Sequence, residues 1–230
     1  MRLEKKKMTI SEFDFQWEHL PSRYTHYNKD RIREFLDFTQ IPKEYFKDKW
    51  CMDAGCGNGR YTYALQELGA TVKSFDKSRE AIRWCQRINP EAYVKDIMTL
   101  PLWSRFAEEE FDFILCWGVL HHLEHPRMGF DFLIKFLKPG GIIHIMVYNK
   151  TTQGRYEGLR EEFRALPTYE DKVDFCKKID PNNVHGWFDA LNPQFNHSFT
   201  VDEVLEWFEG FENVRVITME NININGELPR

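Results

Sequence analysis

The side chains able to do chemistry cluster where short apolar runs end. Asp53-Ala54-Gly55-Cys56-Gly57-Asn58-Gly59 follows the run Trp50-Cys51-Met52 and precedes a segment, Tyr61 to Leu68, that continues helically. Glycine has no Cβ, so the main-chain N–H groups of such a strand-to-helix turn can approach a ligand closely. The spacing is G-x-G-x-G, and the third glycine of the dinucleotide fingerprint would fall at Arg60. Asp53 also argues against a pyrophosphate, which a carboxylate repels, and for an ammonium group, from which it accepts hydrogen bonds. A ligand that combines a cationic amine, a carboxylate and a ribose suits this turn better than a dinucleotide does.

Two further carboxylates repeat the pattern. Asp76 ends the run Thr71 to Phe75, about 20 residues beyond the first glycine, where one helix and one strand deliver an acidic side chain to ribose hydroxyls. Asp96 ends the run Ala92 to Lys95. A lone aspartate at a strand end is ordinarily a turn or cap residue. In an open parallel sheet, however, ligands bind beyond the carboxyl ends of the strands, so Asp53, Asp76 and Asp96 converge on one rim. His121 and His122 follow the fourth run, Phe111 to Trp117, on that same rim. A neutral imidazole there can act as a base, or it can simply hold the backbone of the turn.

Asp-Ala-Gly-Cys-Gly-Asn-Gly, the strand ends Asp76 and Asp96, Trp-Gly-Val-Leu-His-His-Leu and Leu-Lys-Pro-Gly-Gly together resemble five successive motifs of the class I S-adenosylmethionine-dependent methyltransferases, in the right order over residues 48–150. The resemblance implies that Asp53, Ala54, Gly55, Cys56, Gly57, Asn58 and Gly59 hold the methionine portion of S-adenosyl-L-methionine, with S-adenosyl-L-homocysteine as product. It implies that Asp76 binds the ribose with Lys77 beside the adenine, that Asp96 and Ile97 hold the adenine edge, and that Trp117 faces the methionyl end. Some small-molecule members of this family pair a histidine with an aspartate after the fifth strand. Tyr148 and Asn149 stand there in this chain, which speaks against a two-group base.

Absences narrow the acceptor. The fourth strand ends in Cys-Trp-Gly-Val rather than the Asn/Asp-Pro-Pro-Tyr of adenine and glutamine N-methyltransferases. The double-glutamate hairpin of the protein-arginine type and the Pro-Cys nucleophile of RNA cytosine enzymes are also missing. These absences leave methyl transfer to an O or N atom of a small molecule as the expected function, and the aromatic N-terminal segment and the His-Gly-Trp-Phe-Asp stretch loosely resemble enzymes that modify a sugar, a glycan precursor or a natural product. The alternatives are RNA or protein methylation, or binding of the cofactor without methylation.

The elements that must position these residues suit one domain of 230 residues. Strand–helix alternation predicts a Rossmann-like α/β fold: a mostly parallel seven-stranded sheet with helices on both faces. The expected divisions are a tail and lid over residues 1–47, a cofactor-binding core over 48–150, a substrate-side insertion over 151–199, and a helix with strands over 200–230 that completes the core. Helices are expected over 29–38, 79–88, 126–137, 155–166 and 170–178, and a polar, aromatic loop over 181–193. Thr200-Val201-Asp202-Glu203 reads as a capping box.

Tyr24 and Tyr27 in the aromatic N-terminal stretch are the lid candidates. Tyr148, Asn149, His185, Asp189 and His197 are the further candidates for holding the acceptor. The helices of the insertion could equally form a homodimer surface.

Lysine and arginine total 31 against 36 acidic residues, a net charge of −5, so the chain lacks the basic excess on which non-specific nucleic-acid binding depends. The apolar runs fall well short of the ~20 residues that span a membrane, and no apolar segment follows the basic start, so a cytoplasmic location is expected. The five cysteines show neither a C-x-x-C pair nor zinc-ligand spacing, and they read as reduced core residues with no metal site.

Overall fold

The computed structural model describes residues 13–20, 27–102, 110–218 and 220–230. In chain order the elements are α1 (Asp14–His19), α2 (Lys29–Thr39), β1 (Trp50–Ala54), α3 (Arg60–Glu67), β2 (Thr71–Asp76), α4 (Arg79–Cys85) and β3 (Tyr93–Val94). Next come β4 (Phe111–Trp117), α5 (Pro126–Ile134), β5 (Leu137–Tyr148), α6 (Lys150–Gln153), α7 (Glu157–Ala165), α8 (Tyr169–Ile179) and α9 (Val184–Leu191). The chain closes with α10 (Val201–Leu205), β6 (Glu212–Thr218) and β7 (Asn221–Glu227).

The seven strands form one sheet in the order β3-β2-β1-β4-β5-β7-β6. The first five are parallel, and β7 runs antiparallel to both β5 and β6. The order reverses between β1 and β4, so the loops after these two strands flank the crevice in which a doubly wound sheet binds its ligand. β4 is nearly continuous in apolar residues because both its faces are covered. Ile114 and Cys116 pack with Phe130, Leu133 and Phe208 on one side, while Phe113 and Leu115 pack with Phe35, Phe46 and Leu65 on the other.

Local signals set several boundaries. Ser78 accepts from the Ala81 amide to start α4, and Pro126 opens α5. The capping box at Thr200 and Glu203 is formed in both directions. Helix α4 is shorter than expected, ending at Cys85 rather than Ile88. Helix α5 ends at Ile134, three residues before the expected end at 137, and β5 begins at Leu137, so Lys138-Pro139-Gly140-Gly141 lies inside the strand. The sheet absorbs these residues through a register shift, with Phe111 opposite Leu137 but Phe113 opposite Ile142.

The expected loop over 181–193 is corrected by α9. Val184, Trp187, Phe188 and Leu191 recur at helical spacing and pack with Phe163 and Cys176 in a separate small core of the insertion. The flanking Asn182-Asn183 and Asn192-Pro193 turn signals hid that period. Helix α1 was not anticipated as a helix either. It packs against α4 through the Trp84 indole, which donates to the Trp17 carbonyl at 3.1 Å. No helix among the described residues is long and apolar enough to cross a membrane, and the five cysteines are free and buried.

Candidate active site

At the carboxyl ends of β1, β2 and β4 lies a cavity of about 340 Å³. Asp53 enters it from the last turn of β1, buried to 3% exposure. The Thr62 hydroxyl donates to Asp53 Oδ2 at 2.6 Å, and burial pushes the Asp53 carboxyl up to about 7. The group is thus poised between acid and carboxylate, and a cationic partner would draw it to the ionised form.

The glycine turn differs from expectation in where its N–H groups go. Gly55 and Cys56 both donate to the Phe75 carbonyl, at 2.8 and 3.0 Å, and Gly57 donates to Asp76 Oδ2 at 2.9 Å. The β1–β2 pairing extends past Ala54 and takes these amides for itself. Nor do the glycines merely clear room for a ligand. All three have positive φ, and a Cβ on Gly55 would meet Val119 at 2.4 Å, on Gly57 Trp17 at 2.8 Å, and on Gly59 the Cys85 sulfur at 2.8 Å. The turn is shaped by its own protein neighbours, and the Gly55, Cys56 and Gly57 amides are used within the protein.

Asp76 accepts one amide on each oxygen, from Gly57 and from Ser78 at 2.8 Å, which leaves a further lone pair on each for a hydroxyl. Burial raises its carboxyl above the usual range. Asp96 accepts from the Met98 amide at 2.9 Å and lines the cavity beside Ile97. Lys77 lies 4.6 Å from the centre of the Phe13 ring.

Of the residues assigned to the cofactor from sequence, Asp53, Gly55, Cys56, Gly57, Asn58, Asp76, Lys77, Asp96, Ile97 and Trp117 line the cavity; Ala54 and Gly59 do not. This donor set fits S-adenosylmethionine: a buried carboxylate for an amine, a second with open lone pairs for a ribose, and a third at the far end.

The other end of the cavity is built by long-range packing. His121 and His122 lie in a short turn after β4, both buried. Burial and the neighbouring His122 push the His121 pKa well below 6.5, so the ring is neutral, and neither of its nitrogens has a hydrogen-bond partner among the described residues. It stacks on Tyr148 with ring centres 3.7 Å apart. The His121 carbonyl accepts from the His197 amide at 2.9 Å, and His122 Nδ1 lies 3.0 Å from the Phe195 carbonyl, so the segment before α10 holds both histidines in place.

His185 and Asp189 reach the cavity from α9. Gln16 of α1 donates to Asp189 Oδ1 at 2.8 Å, and Trp17 packs on His185 with centres 4.7 Å apart. Helices α1 and α9 thus form one connected wall. The remaining acceptor candidates fall elsewhere. Asn149 caps α6, accepting from the Thr151 amide and hydroxyl, His197 supports His121 from behind, and Tyr27 donates to the Asn58 carbonyl at 2.7 Å. Tyr24 lies outside the described residues.

Sequence reasoning missed Phe13, Gln16 and Trp17 of this wall, and Arg60, whose guanidinium sits over the Trp117 ring at 4.8 Å. The aromatic density of the first residues was the available signal for the wall. The basic residue in place of a third glycine was the signal for Arg60.

Residues 24–215 match the protein family described as a methyltransferase domain. An uncharacterized Synechococcus protein is 35% identical over 139 residues, which cover 56% of this chain and 33% of that protein. The mitochondrial ubiquinone biosynthesis O-methyltransferase of Dictyostelium discoideum is 28% identical over 159 residues, 62% of this chain and 49% of that protein. The chain therefore spans a third to a half of the length of these relatives. Among solved structures, the 1,6-didemethyltoxoflavin-N1-methyltransferase of Burkholderia thailandensis, with 1,6-didemethyltoxoflavin and S-adenosylhomocysteine bound, shares the fold. Its TM-score is 0.54 at 16% identity, covering 88% of this chain and 80% of that one.

Proposed function

We propose that this chain, which belongs to the class I S-adenosylmethionine-dependent methyltransferase family, transfers a methyl group to an oxygen or nitrogen atom of a small molecule held between His121, Tyr148 and the α1–α9 wall. The observation that carries this reading is the wall itself. The Gln16–Asp189 hydrogen bond and the Trp17–His185 contact join α1 to α9 beside the candidate base, and a wall of this kind suits a small acceptor. In this reading residues 151–199 serve the acceptor. The O-methyltransferase name of the Dictyostelium relative favours oxygen as the attacking atom.

S-adenosylmethionine, when bound, supplies a methyl group already activated by the positive sulfur. The protein has then to align an acceptor lone pair and keep water out. Asp53 holds the amine, Asp76 the ribose hydroxyls, and Asp96 with Ile97 the adenine edge. His121, neutral and with both ring nitrogens unpartnered among the described residues, takes the proton of an acceptor hydroxyl, and the His197 and Phe195 backbone contacts keep the turn that carries it from shifting.

The test is isotope transfer from labelled S-adenosylmethionine into a cell extract that is then separated into small molecules, RNA and protein. Label in the small-molecule fraction is expected. Label confined to RNA or protein would overturn the acceptor class, and no transfer with intact cofactor binding would leave a nonmethylating binder.

A further inference from the structure

Strand β7 reads Asn221-Ile222-Asn223-Ile224-Asn225, and its alternation is unusual in that both sets of side chains are covered. Ile222 and Ile224 join Val204 and Phe208 in the main core. The asparagines face the other way, toward α2, where Asn225 donates to the Thr39 carbonyl at 2.8 Å. Asparagine is depleted in strands, and a buried amide is costly unless its hydrogen bonds are made. Asn223, at 6% exposure, makes them all within the sheet.

The register explains how. Trp117 of β4 pairs with Met146 of β5, and Met146 pairs with Asn223 of β7, so the three lie in one row across the sheet. The outer two are roughly 10 Å apart along the backbone. The indole crosses Met146 and brings its Nε1 to 3.2 Å from Asn223 Oδ1.

An indole nitrogen can only donate, so the oxygen end of the amide must face it. His144 Nε2 lies 3.3 Å from the same oxygen and therefore carries the ring proton. The Asn223 amide nitrogen donates to the Thr218 hydroxyl at 2.8 Å and to the Asn221 carbonyl at 3.4 Å. Held at both ends, the amide has one orientation, and it fixes one orientation of the indole. On its other flank Trp117 meets the Arg60 guanidinium and the Tyr61 ring. Trp117, Met146 and Arg60 all line the cavity.

We propose that Asn223 is a positioning residue: its carbonyl oxygen sets the plane of the Trp117 indole, and through it the seat of Arg60, at the end of the cavity that receives the methionyl group. The assignment rests on the proposed use of the site for S-adenosylmethionine. It goes further in naming a distant strand as the element that shapes that end.

A double-mutant cycle tests it, with S-adenosylhomocysteine affinity read by calorimetry on the full chain. Trp117→Phe keeps a ring and loses the N–H. Asn223→Ala is expected to weaken binding about fivefold in the parent and less than about twofold in the Trp117→Phe background. Equal losses in both backgrounds would show a merely structural role and overturn the proposal. Should Asn223→Ala fail to fold, Trp117→Phe alone, which removes the indole N–H from the Asn223 oxygen, is expected to weaken binding about fivefold. A Trp117→Phe variant that binds within about twofold of the parent would also overturn it. If the parent itself bound no S-adenosylhomocysteine, the functional reading would fail rather than this assignment.

Discussion

The two ends of the cavity are made in different ways. The end proposed for the cofactor comes from consecutive strand ends, Asp53, Asp76 and Asp96, each delivered by the strand that precedes it and fixed by nearby donors: the Thr62 hydroxyl of the next helix to Asp53, the Gly57 and Ser78 amides to Asp76, and the Met98 amide to Asp96. At the acceptor end, residues from α1, the turn after β4, the end of β5 and α9 are joined by contacts such as Gln16 to Asp189. The first is a local device repeated along a sheet, and the second is a product of tertiary packing. The difference predicts that substitutions at the two ends separate binding of the methyl donor from turnover and acceptor recognition.

The largest expected effect is at the acceptor end. His121→Ala should lower kcat by about 10²–10⁴ while S-adenosylhomocysteine affinity, read by calorimetry, changes little. Equal losses in both would show that the two ends of the cavity do not act separately.

The next effect belongs to the cofactor end and is read as pH dependence. Burial pushes the Asp53 carboxyl up to about 7 in the folded protein, and a cationic amine binds its ionised form. Affinity should therefore rise with pH, by about tenfold from pH 6 to pH 8, and level off above. The sign for stability is opposite: a carboxyl raised on folding takes up protons in the folded state, so without ligand this group costs stability as pH climbs from its unfolded value through 7. Asp53→Asn should flatten the affinity profile, as checked by titrations at several pH values.

The smallest effect is at the wall. Gln16→Ala removes the hydrogen bond to Asp189 and should raise the acceptor KM about fivefold, consistent with a part-buried bond worth about 1 kcal/mol, with the KM of the methyl donor unchanged.

How far each end could be read from sequence follows the same division. The alternation of strands and helices, the strand-terminating aspartates and the order of motifs were legible because each signal sits within a dozen residues of what it positions. The capping box at Thr200 and the Pro126 start were legible for the same reason. Gln16 and Trp17 were not, because nothing near them says that α9 will arrive at their side. Helix α9 itself was hidden by its Asn and Pro flanks, although its four apolar positions keep a helical period. The glycine turn was recognised, yet its amides serve Phe75 and Asp76 because the sheet claims them first. Asn149 read as a residue at the rim and proved to be a helix cap.

Acidic strand ends that grip one nucleoside amino acid make up the proposed site, and calorimetric titration of S-adenosylhomocysteine into the parent and into Asp76→Ala tests that directly. Saturable binding by the parent, weakened at least about tenfold in the variant through loss of hydrogen bonds to a charged acceptor, is the predicted result. A folded Asp76→Ala variant that binds as tightly as the parent would contradict it.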